Sequence, residues 1–209
     1  RVEVAQRVVG ERREVHDRVD VRDVVRREVA DIRPDEVMHL AALSNDALGH
    51  LDPGITHEVN TLSTLRTAEL ARERGVERFL FSSSCSLYGA GEGDTPLDES
   101  ASMHPQTPYG RSKQDSEAGL TKLATDDFSP VYLRNATAYG FSPRLRGDLV
   151  VNELVARARV DGKVQLNSDG TAWRPLVHVE DICRAFIAAL RAPREVVHDQ
   201  AFNIGTTAE

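Results

Sequence analysis

Apolar residues along the chain fall into two alternating spacings, one suited to helices and the other to short strands. Between positions 22 and 32, Val24, Val25, Val29 and Ile32 recur at helical intervals. Pro34 ends that helix, because a proline ring supplies no amide hydrogen and crowds the preceding turn. Residues 36–42 form an apolar run of strand length. Pro53 opens a second helical stretch in which Val59, Leu62, Leu65, Leu70 and Ala71 share a face, and Gly75 stands where a helix C-terminal glycine belongs. Phe79, Leu80 and Phe81 predict a strand that ends in Ser82, Ser83 and Ser84. After a polar loop over 89–108, the pattern predicts a helix over 109–124 and a strand over 131–134. A helix over 149–160, a short strand over 164–166, a helix over 180–191 and a strand over 202–204 complete it. Residues 1–20, dense in Arg, Glu and Val, match neither template.

Strands alternating with helices of ten to fifteen residues predict an α/β fold, a parallel sheet covered on both faces. In such sheets ligands sit beyond the carboxyl ends of the strands. Those ends here read Ala41-Ala42-Leu43-Ser44-Asn45, Ser82-Ser83-Ser84 and Asn135-Ala136-Thr137, small and polar where a core would be large and apolar.

Composition narrows the class. With 209 residues and 40% hydrophobic, the chain suits one domain or one and a half. A net charge of −7 argues against a surface that coats nucleic acid. No apolar run approaches the ~20 residues of a membrane helix and no signal peptide opens the chain, so the expectation is a soluble, cytoplasmic protein with no membrane partner. Cys85 and Cys183 lie far apart and form no metal-type cluster, so no metal is expected and each is read as a buried or half-buried thiol rather than half of a disulfide.

The candidate chemistry lies in Ser82-Ser83-Ser84-Cys85-Ser86-Leu87-Tyr88-Gly89 and Pro108-Tyr109-Gly110-Arg111-Ser112-Lys113. Tyr109 and Lys113 are four apart and share one face of the predicted helix. A phenol with an ordinary pKa of about 10 is a poor base at neutrality. An ammonium a few ångströms away favours the phenolate and turns the phenol into a general acid/base. Ser84, at the strand end, can orient a substrate oxygen beside it. A tyrosine and a lysine one turn apart are common on helix surfaces. The combination with a serine-tipped strand and a proline-rich loop is what carries the reading.

In this order the motifs resemble the extended short-chain dehydrogenases/reductases, the branch of NAD-dependent nucleotide-sugar epimerases and dehydratases that includes UDP-galactose 4-epimerase. The resemblance implies a Rossmann-type fold. Residues 1–140 would form the dinucleotide-binding domain and 141–209 mainly a substrate lobe, with 176–205 partly returning to the Rossmann core. It implies Ser84, Tyr109 and Lys113 as the catalytic triad, with Tyr109 and Lys113 also at the cofactor. The further cofactor contacts it implies are Asp20 and Val21 at the adenine, Leu40, Ala41, Ala42, Leu43 and Ser44 beneath the pyrophosphate and ribose, Asn60, Ser82, Ser83, and Ala136 at the nicotinamide. Toward the substrate it implies Ser84, Asn45, Thr137, Asn152 and Arg174, the last gripping a sugar-nucleotide diphosphate through its guanidinium fork. The cofactor is NAD, with NADP left open. The substrate is a nucleotide-sugar, and the oligomer a homodimer through helices 54–74 and 109–124.

Three departures qualify the resemblance. The glycine-rich turn that receives the pyrophosphate is not found, so the sequence is read as beginning after it, and the residue that selects NAD over NADP goes with it. Cys85 and Ser86 stand where dehydratases carry Asp and Glu, which disfavours elimination of water. Thr137 stands where many members have Asn. The expected function is therefore epimerisation by transient hydride abstraction. The alternatives are an NAD(P)H-dependent 4-ketoreductase of a keto-sugar and, in another class, a non-catalytic dinucleotide-binding protein.

Other residues carry plainer readings. His39 and His178 are read as core histidines and Cys85 as a packing residue, while Asp181 stands between a helix-end and packing residue and a ligand. Asn45 and Asp46 stand between a pocket lining and a solvated loop. Asn152 is open between a ligand contact and structure, and Trp173 between stacking on a base and filling the lobe.

Overall fold

A computed structural model describes residues 34–44, 46–89, 96–166, 169–170 and 174–205. The predicted helix over 22–32 and the stretch 1–20 lie outside them, as do Asp20, Val21, Asn45 and Trp173. The main sheet has four parallel strands in the order β1 (Glu36–His39), β2 (Arg78–Ser84), β3 (Ser129–Asn135) and β6 (Gln200–Ile204). Register pairs His39 with Phe81, Ser84 with Asn135, and Asn135 with Ile204, so the strand ends line up along one edge.

Alternation along the central strands sorts the core onto two faces. Phe79, Phe81 and Tyr132 pack with Ala68, Ala71, Leu120 and Phe128 beneath helices α3 (Ser63–Glu73) and α4 (Pro108–Thr121). Leu80, Val131 and Leu133 pack on the other face with Phe186 and Ala189 of α6 (Val179–Arg191) and Val197 of the short α7 (Arg194–Val197). Arg78 donates to the carbonyls of Ala189 and Leu190, placing a cation at the C-terminal end of α6. Both faces are covered, the α/β Rossmann-like arrangement that the pattern predicts.

Helix ends follow local chemistry. Asp52 accepts from the amide of Ile55 before α2 (Pro53–His57), and Thr107 accepts from that of Gly110 before α4; each helix has proline in its first turn. Gly75 takes φ +79° just beyond α3, as its place in the sequence predicts.

The structure departs from the pattern in several places. The run predicted over 36–42 leaves the sheet after His39, and α1 (Asp46–Leu51) follows it. Between α2 and α3, Glu58–Leu62 winds as a π-helix rather than continuing the α-helix. The helix predicted over 109–124 stops at Thr121. Residues 164–166 form no strand, and Val164 and Leu166 are exposed. A small parallel ladder forms instead from β4 (Thr137–Tyr139) and β5 (Leu176–His178), beside α5 (Val150–Asp161), none of whose side chains is fully buried. Cys183 is exposed, correcting its reading as buried or half-buried, while Cys85 is half-buried. Among the described residues no helix is long and apolar enough to cross a membrane.

Candidate active site

The strand ends meet the N-terminal half of α4, and the geometry there follows from three close approaches. The first is at Gly110, where a β-carbon would stand 2.7 Å from the carbonyl oxygen of Ser86 and 3.1 Å from Cβ of Pro105. Only a residue without a side chain lets α4 start this close to the 3₁₀ turn Cys85–Leu87. Tyr109 is thereby placed near the end of β2. Ser84 caps that turn: its Oγ accepts from the Ser86 amide at 3.2 Å and donates to Ser86 Oγ at 3.1 Å.

The second approach is Lys113. Its side chain is buried, and Nζ donates to the carbonyl of Ser82 at 2.7 Å. Nζ lies 4.6 Å from the ring centroid of Phe81 and 5.6 Å from that of Tyr109. Burial lowers its pKa to about 8, partly opposed by the Glu117 carboxylate. His39 lies in the same region, its ring stacked on Phe79 and Phe81 and its Nε2 2.8 Å from Thr64 Oγ1. Burial, and then the Lys113 charge, lower its pKa to about 4, so it is neutral at pH 7. His39 is thus a satisfied packing histidine.

The third approach is Asn60, buried in the π-helical turn. Its Oδ1 accepts from the Leu43 amide at 2.7 Å, and its Nδ2 donates to the Leu43 carbonyl and to Ser112 Oγ, each at 3.0 Å. Ser112 in turn donates to the carbonyl of Tyr109 at 2.7 Å. One side chain therefore pins the segment after β1 to the helix that carries Tyr109. That segment stays open: Leu40, Ala41 and Ser44 are exposed, and Ala42 and Leu43 half-buried.

The remaining expected site residues are distributed unevenly. Ala136 is buried, with its amide on the Ile204 carbonyl, and Thr137 begins β4. Ser82 Oγ accepts from Asn135 Nδ2 at 3.1 Å, while Asn135 Oδ1 is buried without a hydrogen-bond partner at the strand end. Ser83 points to the opposite face, where its hydroxyl donates to Glu117. Asn152 is engaged at both ends of its amide, accepting from the Gly140 amide at 3.2 Å and donating to the Arg146 carbonyl at 2.9 Å, so its observed role is to brace a loop. Arg146 also donates to the carbonyl and hydroxyl of Ser44, spanning the segment after β1 and the 141–149 loop. Arg174 is exposed, and its charge reaches Cys85, whose thiol pKa is raised by burial and pulled back by that charge. Asp181 takes a helix-end role, accepting from Arg184 at 2.7 Å.

A sequence profile described as the NAD dependent epimerase/dehydratase family matches residues 4–205. The chain belongs to that family. Within the epimerase/dehydratase family, it is 30% identical over 205 residues to a UDP-glucose 4-epimerase of Rhizobium leguminosarum bv. trifolii, covering 90% of this chain and 62% of that protein. It superposes with a TM-score of 0.80 and 30% identity on the UDP-glucose 4-epimerase of Thermotoga maritima solved with UDP-glucose, covering 88% of this chain and 60% of that one. A dTDP-glucose 4,6-dehydratase double mutant from Streptomyces venezuelae, solved with NAD bound, gives a TM-score of 0.76 at 25% identity, covering 89% and 56%. This family member therefore spans about three fifths of the length of these relatives.

Sequence reasoning missed Glu117 and the part played by Arg134. Glu117 follows Tyr109 and Lys113 at a further helical turn, a signal present in the sequence. What it touches is set by the pairing of β2 with β3, which helical spacing alone does not reveal.

Proposed function

We propose that the chain carries the catalytic residues of an NAD-dependent nucleotide-sugar 4-epimerase. The observation that carries this reading is the buried Lys113 ammonium beside the Tyr109 ring, fixed to the Ser82 carbonyl two residues before Ser84. Nothing in the packing of a core calls for a buried cation there, and taking a charge out of water is costly even with a carboxylate one helical turn away.

The residues fit a dinucleotide at the strand ends. Small side chains at Ala41, Ala42, Ser44, Ser82 and Ala136 leave room for it, and the unpartnered Oδ1 of Asn135 offers a buried acceptor. Lys113, Ser82, Ala136 and the segment 40–44 held by Asn60 would hold it. Bound NAD supplies the acceptor, and later the donor, of a hydride. Tyr109 takes the proton of a sugar hydroxyl as the phenolate and returns it as the phenol. Ser84 donates a hydrogen bond to the same oxygen and keeps it in line with Tyr109. Lys113 stays charged through neutrality and stabilises the phenolate. Thr137 and Arg174 are assigned to the sugar-nucleotide. Cys85 and Ser86 supply no carboxylate next to Ser84, which favours epimerisation over elimination of water. A homodimer through helices 54–74 and 109–124 belongs to the same reading, supported by exposed Ile55 and Val59 on the first of them.

Tyr109→Phe tests the mechanism. Turnover of a UDP-hexose, followed by chromatography of the two epimers, should fall by roughly 10²–10⁴-fold while NAD affinity is retained. Unchanged turnover would remove the phenol from the reaction. Stoichiometric loss of the near-ultraviolet absorbance of reduced cofactor would replace the epimerase with the ketoreductase.

A further inference from the structure

Glu117 is buried at the third turn of α4 and makes three kinds of contact. Its carboxylate accepts the hydroxyl of Ser83. It accepts a forked pair from Arg134 of β3, with Nε at 3.2 Å from both oxygens and Nη2 at 2.7 Å from Oε2. It also lies one turn beyond Lys113 on the same helix face, close enough for its charge to act on that ammonium. Arg134 is buried as well, and its Nη1 donates to Tyr88 Oη at 2.8 Å and to the Glu99 carbonyl at 3.0 Å. Tyr88 donates onward to Asn203 at 2.7 Å.

Ser83 sits between the two residues that matter to the site. Ser82 holds Lys113 through its carbonyl, and Ser84 carries the hydroxyl assigned to the substrate. A carboxylate clamped to Ser83 therefore fixes the tip of β2 against α4 at the position where Tyr109, Lys113 and Ser84 must meet. We propose that Glu117, anchored by Arg134, is a positioning residue for the Tyr109–Lys113 pair, locking the strand tip to the helix and setting a carboxylate one turn from the lysine. This inference rests on the epimerase reading above for its catalytic consequence, although the state of Lys113 can be measured without turnover.

The charged and titratable groups around Lys113 come from every element packed against it. β1 contributes His39, α4 itself contributes Tyr109 and Glu117, and β3 contributes Arg134 through its pair with Glu117. β2 offers the Ser82 carbonyl and the Phe81 ring, and the π-helical turn offers the neutral amide of Asn60. His39 is uncharged above mildly acidic pH, so near neutrality Glu117 is the anion that favours the ammonium and Arg134 is the cation behind it.

The chain has only three lysines, Lys113, Lys122 and Lys163, and the latter two are exposed. Lysine side-chain NMR of the full chain can therefore follow Lys113, whose titration is expected near pH 8. In Glu117→Gln that titration should move to lower pH by about one pH unit. The alkaline limb of the turnover profile should move with it, because Lys113 then loses its proton earlier. Glu117→Asp, which keeps the charge, should hold the titration near its wild-type position. Should Glu117→Gln fail to fold, the double variant Glu117→Gln/Arg134→Met removes the arginine left without its carboxylate and should show a smaller displacement in the same direction, because a more distant cation is lost together with the anion. An unmoved Lys113 titration in a folded variant would overturn the proposal, even if turnover fell. Absence of turnover in the wild-type chain with a displaced titration would overturn the epimerase reading and leave the electrostatic role standing.

Discussion

At the scale of single residues, the geometry of the candidate site depends as much on what is absent as on the groups proposed to react. Gly110 is the sharpest case, since a β-carbon there would meet backbone oxygen at 2.7 Å, and backbone cannot swing aside as a flexible side chain can. Gly110→Ala must therefore lift the start of α4 away from the 3₁₀ turn. Overpacking of this kind costs about 1–3 kcal/mol, and displacing Tyr109 by a fraction of an ångström is expected to lower turnover at least ~10-fold. Chemical denaturation and steady-state kinetics on the same preparation check both effects, and a variant with wild-type turnover would show that the approach of α4 to Ser86 is not needed. The placement of Tyr109 and Lys113 one turn apart on a helix and of Ser84 at a strand end was legible because helical spacing and a strand-end serine are local features of the sequence. Glu117 was not, because its partners Ser83 and Arg134 are brought to it by strand register. Asn152 was ambiguous for a related reason. An amide can serve a ligand or a loop, and here its two ends are taken by Gly140 and Arg146.

At the scale of elements, the sequence pattern located the long amphipathic helices and the central strands. It failed where an element's identity depends on a neighbour. The run predicted over 36–42 leaves the sheet after His39, and just beyond it Asn60 takes both backbone groups of Leu43, tying the segment to a helix rather than to a strand. The π-helical winding of Glu58–Leu62 has no signature in a 3.6-residue pattern, yet it is the turn that carries Asn60 to this contact. The strand predicted over 164–166 has apolar residues, but apolar residues form a strand only beside another, and β4 pairs with β5 instead. Asn60→Ala tests the link between these elements. It strips partners from the Leu43 amide and carbonyl and from Ser112, an expected loss of about 2 kcal/mol in stability. Amide exchange at Leu43 should accelerate well beyond that of β2 residues such as Leu80. Equal acceleration throughout the sheet would mean that Asn60 supports the whole fold rather than the segment beneath the proposed cofactor.

At the scale of the whole molecule, stability and function meet in the face that joins β1, α3 and α4. His39 is stacked on Phe79 and Phe81 in the same layer that buries Lys113. Protonating His39 would place a second cation beside the first, in a layer where the Glu117 carboxylate is already paired with Arg134. The folded pKa of about 4 lies below the ordinary value of 6.5, so between these limits the unfolded chain binds more protons than the folded one. The stabilisation is therefore complete above pH 6.5 and is lost as pH falls toward 4. Allowing for solvent at its half-exposed edge, the contribution is on the order of 2 kcal/mol. Denaturant unfolding at a series of pH values should show the midpoint falling across that window in the wild-type chain. In His39→Gln, which keeps a polar partner for Thr64 but cannot take up a proton, the fall should be shallower by about that amount. Identical slopes in the two proteins would mean that acid acts on the carboxylates alone and that the imidazole keeps the same proton affinity folded and unfolded.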